Sequence, residues 1–436
     1  MSSLVPDGWL FSKIGDAVIS SSGGVSVNSE NRPATLNELG ILKTSSVVDG
    51  RFYPAEHKAI LSDEVGRVSI RPKKNHILFS RMNTPLLVGQ SGFVERDYEH
   101  LFLPDRLWQI EVADKFNPKW LSYVLRSQKV VKLITDAATG TSNTMKNIAK
   151  PNLMAIPMMS PPLPEQQKIA QILTSVDEVI EKTQAQIDKL KDLKTGMMQE
   201  LLTKGIGHVE FKDSPVGRIP IGWEVETIEG LNILVLDGDR GKEYPKEKDF
   251  FQHEHCLFLS AKNVTKKGFR FDVSMFITEK KDNAMRKGKL KRGDIVITTR
   301  GTLGNIAYFN TEIPFENVRI NSGMAIIRND KTSINTEFLN ILLHSPLVNE
   351  QTELLAFGSA IPQLTIGLLK NLNIPVPSIE EQNKISTTIN LVSHKIILIE
   401  SKLTSLKNTK KALMQDLLTG KVRVNAQQSN TALAVG

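Results

Sequence analysis

Glu165-Gln166-Gln167-Lys168-Ile169 returns 216 positions later as Glu381-Gln382-Asn383-Lys384-Ile385, and Met198-Gln199-Glu200-Leu201-Leu202-Thr203 returns at the same offset as Met414-Gln415-Asp416-Leu417-Leu418-Thr419. Identical spacing at both ends means that about forty residues recur without net insertion or deletion, which two unrelated helices rarely produce. The similarity continues upstream. Ala155-Ile156-Pro157 matches Asn373-Ile374-Pro375-Val376-Pro377, Gly140 matches Gly358 and Trp120-Leu121 matches Phe338-Leu339, all at an offset of 218, while Gly8-Trp9 matches Gly222-Trp223 at 214. The chain therefore reads as two copies of one unit: a globular segment, a Pro-rich junction and a long polar-apolar segment.

The long segments carry a seven-residue period. Ile169, Val176, Leu190 and Met197 fall on one series that Thr183 interrupts, with Leu173, Ile180, Ile187 and Leu201 on a second. In the other copy Ile385, Val392, Ile399, Leu406 and Leu413 run unbroken, flanked by Ile389, Ile396, Leu403 and Leu417. A stripe this narrow is a coiled-coil seam, too thin for a solitary surface helix. Pro164 with Glu165, and Ser378 with Glu380-Glu381, suit helix starts, where acidic groups face the positive end of the dipole. Gly205 and Gly420 mark the stops. An antiparallel pair with one globular segment at each end is the simplest arrangement.

Short runs rich in Val, Ile, Phe and Thr, broken by Gly, Pro and Asn, fill the globular segments. Expected strands are 76–80 and 86–88 in the first, and 294–299, 306–309 and 324–327 in the second; expected helices are 120–132 and 336–343. The fold class is α+β, as two tandem globular domains at residues 1–160 and 207–377, two long helices within 161–206 and 378–421, and a tail at 422–436.

Composition narrows the function classes. With 40% hydrophobic and 23% charged residues the chain is an ordinary globular one, and its 436 residues exceed what one core usually serves. One cysteine, Cys256, leaves no internal disulfide; the start lacks a basic segment leading into an apolar one, and no apolar run approaches the roughly 20 residues a bilayer needs. A cytoplasmic protein without a membrane span is expected. Net charge is +8, spread as +4 over 1–163, −1 over 164–204, +1 over 205–379 and +4 over 380–436. A nucleic-acid surface would thus be a folded patch, not a basic tail.

Catalytic chemistry finds little support. Gly238-Asp239-Arg240-Gly241-Lys242 lacks the spacing that lets successive backbone N–H groups cradle a phosphate. Ser160-Pro161-Pro162-Leu163 lacks the amide and ring that would hold a flipped base. His253-Glu254-His255-Cys256 would place two histidines on one strand face with no third ligand nearby in sequence, and Asp105, Glu111 and Lys115 are wrongly spaced for a shared metal edge. No catalytic, cofactor-binding or metal-binding residue is assigned.

The loops beside the strands instead offer groups that read nucleic acid. Thr298-Thr299-Arg300-Gly301-Thr302-Leu303-Gly304-Asn305 has Ser80-Arg81-Met82-Asn83-Thr84-Pro85 as its counterpart. Arginine forks onto guanine, Asn and Gln onto adenine, and Thr or backbone N–H groups hold phosphates. Candidate DNA contacts are Arg81, Asn83, Thr84 and Asn143 in the first segment, and Lys262, Asn263, Arg300, Thr302, Asn305 and Gln363 in the second. Each such loop has an ordinary alternative as a solvated turn.

Two variable α+β segments, each followed by a Glu-Gln-x-Lys-Ile helix ending in Met-Gln-(Glu/Asp)-Leu-Leu-Thr, resemble the specificity subunit of type I restriction-modification systems. The resemblance spans nearly the whole chain. It implies a non-catalytic subunit in which each globular domain reads one half of a bipartite double-stranded DNA target. It also implies helices that dock two methyltransferase subunits, with motor and endonuclease subunits joining the full complex. S-adenosylmethionine, ATP and Mg2+ would be used by those partners. The alternative is a tandem-lobe scaffold on a coiled coil that binds proteins, not DNA, which apolar loop tips poor in Arg and Asn would favour.

Overall fold

A computed structural model describes residues 5–142, 145–330, 334–356 and 363–425. The chain divides into two compact units, Met1–Gln184 with Ser401–Gly436, and Ala185–Glu400. The long helices, Leu163–Leu201 and Ile379–Leu418, each contribute residues to both units. The units thus do not follow the order of segments along the chain.

In the first unit an antiparallel sheet takes the order Ser91–Phe93, Ile77–Ser80, Leu107–Val112, Val18–Gly23. A second sheet takes the order Leu101–Phe102, Gly40–Leu42, His57–Ile60, Ser29–Glu30. Helix Pro118–Leu125 is capped by the Asn117 side chain, which accepts from Trp120 N, and a second helix, Gln128–Ala137, follows it. Ile77, Phe79, Ile110, Trp120 and Leu121 form the core, which Ile169, Leu173, Leu417 and Leu418 of the long helices complete.

The second unit repeats this plan. Its main sheet orders Leu234–Asp237, Met324–Arg328, Ile295–Thr298 and Ile306–Tyr308, all antiparallel. Ile295, Ile297, Ala325, Ile327, Phe338 and Leu339 pack with Met198, Ile385 and Ile389 of the long helices and with Leu202, just past the end of the first. Helix Thr336–Leu343 is capped by Asn335, the partner of Asn117 in the other copy.

Two expectations need correction. Residues 86–88 form a turn, because Thr84 O accepts from the N–H groups of both Leu87 and Val88, and Gly89 follows at φ +84°. Only Val88 is buried there, and the strand begins at Ser91. The helix expected over 120–132 is two, broken at Arg126 and Ser127, whose N–H groups bond back to Tyr123 O and Val124 O.

The repeated Glu-Gln pair has a physical role. In the first unit Trp9 Nε1 donates to Glu165 at 3.0 Å, and Gln166 Oε1 accepts from Asn117 N at 2.8 Å. In the second, Trp223 Nε1 donates to Glu381 at 3.0 Å, and Gln382 Oε1 accepts from Asn335 N at 2.7 Å. The glutamate ties the N-terminal tryptophan of its unit to the long helix; the glutamine ties the cap of the short helix to it.

Within each unit the long-helix portions run antiparallel. Asp177 meets Lys410 Nζ at 2.5 Å while Glu165 meets Arg423, and in the second unit Lys191 meets Glu400 at 2.7 Å while Glu381 meets His208 at 2.9 Å.

Candidate nucleic-acid interface

The loop after strand Ile295–Thr298 is built to expose its arginine. Thr298 is fully buried; its Oγ1 accepts from Asn305 N at 2.9 Å and donates to Thr302 O, which closes the loop at its base. Gly301 and Gly304, both at φ +75°, make the left-handed turns the closure requires. Arg300 and Thr302 stand exposed at the tip, and the Arg300 guanidinium has no hydrogen-bond or ion-pair partner among the described residues.

Leu364 N donates to Thr299 O at 3.1 Å, which brings Gln363 beside Arg300. Both line a cavity of about 280 Å³ with Asp237, Arg240, Thr299 and Thr365. Arg240, which sequence reasoning passed over because its loop cannot cradle a phosphate, reaches the Asp237 carboxylate at 3.1 Å and so remains at the cavity wall. Two guanidinium forks, a carboxamide and two hydroxyl-bearing threonines around one opening can match the donors and acceptors of a base edge.

Asn263 and Asn305 are placed differently from expectation. Asn263 is 2% exposed; its Oδ1 accepts from Ser260 N at 2.8 Å and its Nδ2 donates to Arg270 O at 3.0 Å and Val273 O at 2.8 Å. Its amide is spent on the turn that carries exposed Lys262. Asn305 Nδ2 donates to Val264 O at 3.0 Å and so ties that turn to the Arg300 loop. Both asparagines position their neighbours.

In the first unit Arg81 is partly buried, with Nε on Asp105 O at 2.7 Å and Nη2 3.7 Å from the Asp105 carboxylate, so its fork is held inside the fold. Asn83 is half-buried beside Ser80, with its Oδ1 accepting from Thr84 N at 2.9 Å, and Thr84 is exposed. Asn143 lies outside the described residues. The two arginines thus do unlike work, and they do not occupy the same place in the repeat: Arg81 O accepts from Ile148 N as Thr299 O accepts from Leu364 N, so Arg81 matches Thr299, and it braces a loop where Arg300 stands exposed.

The other groups singled out in the sequence are in use locally. His255 lies 3.6 Å from Asp282, and burial pushes the Cys256 thiol up to about 12. Glu111 accepts from Ser20, and Asp105 from Ser26. Among the described residues no group of three or more His, Cys, Asp or Glu is placed to hold a metal ion. Asp239 accepts backbone N–H groups from Gly241 at 2.6 Å, Arg286 at 2.7 Å and Lys287 at 3.3 Å. Burial alone would raise its pKa, yet these three donors hold it below the usual carboxylate range.

Comparison with known proteins bears on both units. The family model described as the type I restriction modification DNA specificity domain matches residues 36–192 and again 220–408. The type I restriction enzyme MjaVIII specificity subunit of Methanocaldococcus jannaschii is 27% identical over 428 residues, covering 96% of this chain and 94% of that one. The fold matches the crystal structure of a type I restriction-modification system S subunit from M. genitalium, at TM-score 0.60 and 17% identity over 96% of this chain and 97% of that one. A second solved chain, from work on complex assembly and conformational transition of the type I restriction-modification system, aligns at TM-score 0.56 and 16% identity over 96% and 99%.

Proposed function

The chain belongs to the type I restriction modification DNA specificity family, and from that membership we propose that each of its globular units reads one half of a bipartite double-stranded DNA target. Its part is recognition, not catalysis. In the second unit the exposed Arg300 and the half-buried Gln363 at one cavity supply the reading groups, with Thr302 and Lys262 on the adjoining tips. In the first unit the exposed Thr84 and the half-buried Asn83 occupy the corresponding loop.

The long helices dock the methyltransferase subunits. Exposed apolar residues on them favour this: Val179 in the first unit, and Leu193, Leu391, Ile397 and Leu398 in the second, are each more than two-fifths exposed, side chains that a partner would cover. S-adenosylmethionine, ATP and Mg2+ belong to those partners and to the motor and endonuclease subunits, and the assembly works in the cytoplasm. Among the described residues no helix is long and apolar enough to cross a membrane.

The free Arg300 guanidinium is the observation that carries the DNA reading. Selection of duplexes from a randomised library by the wild-type chain and by Arg300→Ala tests it. The variant should relax one base position in one half-site and lose about 1–3 kcal/mol on the wild-type target. An equal loss on every sequence would make Arg300 a phosphate contact, and no loss would remove it from the interface.

A further inference from the structure

Five cations fall within seven residues of the second unit: Arg286, Lys287, Lys289, Lys291 and Arg292. Two are spent in the fold. Lys289 Nζ donates to Asp282 at 2.6 Å, and Arg292 lies over the Phe309 ring while donating to the carbonyls of Asn310, Ile313 and Phe315. Arg286, Lys287 and Lys291 are exposed, and their charged groups have no partner among the described residues.

The backbone beneath these three is unusually well held. Asp239 takes the N–H groups of Arg286 and Lys287. Arg319, 5% exposed, donates through Nη1 to Lys287 O at 2.7 Å and through Nη2 to Met285 O at 3.2 Å, and its Nε is anchored on the fully buried Asp282. Ile320 N bonds to Gly288 O and Leu290 N to Val318 O, both at 2.9 Å, and Gly288 at φ +87° abuts Ile320. Buried charges cost several kcal/mol unless every one is bonded. Here their bonds converge on a surface loop, so the expense fixes where three free cations stand.

Those cations line a cavity of about 750 Å³ that shares Asp237 and Ile366 with the cavity of Arg300 and Gln363. We propose that Arg286, Lys287 and Lys291 form a pre-set phosphate-binding loop that grips successive phosphodiesters of double-stranded DNA beside the bases that Arg300 reads. The inference rests on the DNA-reading function of this unit. Phosphate contacts carry no sequence information; they set the register in which a base edge meets its reader. A loop fixed before binding loses little freedom when it closes on the backbone.

The test uses the full chain, the triple variant R286A/K287A/K291A and Asp239→Ala, with melting to confirm that each folds. The wild-type chain first selects its target from a randomised library. Binding to that duplex and to a scrambled one is then measured from about 50 to 200 mM salt. Each lost phosphate contact should flatten the slope of log affinity against log salt by about 0.9, so the triple variant should lose roughly 2–3 in slope on both duplexes and keep its base preference. Asp239→Ala should weaken binding although it makes the chain more positive, an outcome that general attraction would reverse. An unchanged slope, a loss confined to base preference, or an equal loss in the charge-matched K246A/K248A/K280A, whose lysines line neither cavity, overturns the loop alone. A wild-type chain that selects no sequence overturns the DNA reading and the loop with it.

Discussion

Glu165 and Arg423 meet fork to fork, Nε and Nη2 each reaching a carboxylate oxygen at 2.9 Å, although 258 residues separate them in sequence. The same carboxylate carries Trp9. Glu165→Gln keeps an acceptor for the indole but turns an amide N–H toward a guanidinium. Because the glutamate is 5% exposed, the loss should be about 1–3 kcal/mol in the first unit. Denaturant unfolding followed by tryptophan fluorescence would show it, and an unshifted midpoint would refute the role given to this pair.

Asp177 predicts a pH signature. Burial would raise its pKa, but Lys410, the Tyr123 hydroxyl and Arg126 together hold it below the usual carboxylate range. The unfolded chain, with an aspartate pKa of about 3.9, therefore takes up the proton first as pH falls. The stabilisation is full above that value and is lost as pH drops through the lower folded one. Asp177→Asn should thus be less stable at pH 7, by about 1–3 kcal/mol, and its deficit should shrink below about pH 4.5. Thermal midpoints of both proteins between pH 3 and 7 decide it, since a deficit of constant size is inconsistent with this linkage.

Arg81 and Arg300 should separate stability from recognition. Arg81→Ala strips the partner of Asp105 and its carbonyl and should cost about 1–2 kcal/mol of folding stability. Arg300→Ala breaks no side-chain hydrogen bond or ion pair among the described residues and should leave the melting temperature within a degree or so. Melting curves of the two variants, measured beside their DNA affinities, make the comparison, and a destabilised Arg300 variant would contradict the free guanidinium.

Two glycines on or after the first long helix should respond oppositely to alanine. Gly205, at φ +66°, leaves a Cβ only 2.4 Å from Glu381 Oε1 and 2.7 Å from the Trp223 ring, so Gly205→Ala should cost more than about 1 kcal/mol. Gly196 lies inside the helix with nothing within 4 Å of a new Cβ, so Gly196→Ala should stabilise by about 0.5–1 kcal/mol. Chemical denaturation of the pair measures both signs.

The repeat, the two long helices and the α+β class were legible because they rest on periodicity and on a motif copied at one spacing. The reason for the motif was not: Glu165 contacts Trp9 and Arg423, and no local pattern announces partners so remote in sequence. Of the reading residues, Arg300 and Gln363 were visible by residue type, and a backbone bond from Leu364 to Thr299 unites them. Asn263 was misjudged because an exposed reader and a buried turn brace have the same letter; only its four hydrogen bonds tell them apart. The crowding of five cations between Arg286 and Arg292 was a signal in the sequence, but which three remain free depends on Asp282 and Phe309, which lie outside that run.

The interleaving of the two units has a consequence for the order in which the chain matures on the ribosome. Residues 185–400 form one uninterrupted stretch, so the second unit has all its parts once that stretch has emerged. The first unit begins earlier but lacks Leu417, Leu418 and the Arg423 fork until residues 417–423 are made. At about 5–20 residues per second the N-terminal lobe waits tens of seconds, with part of its apolar interior uncovered, for its closing helix. The domain born first is the one completed last, and a messenger cut short after codon 400 would yield a whole second lobe attached to an unfinished first.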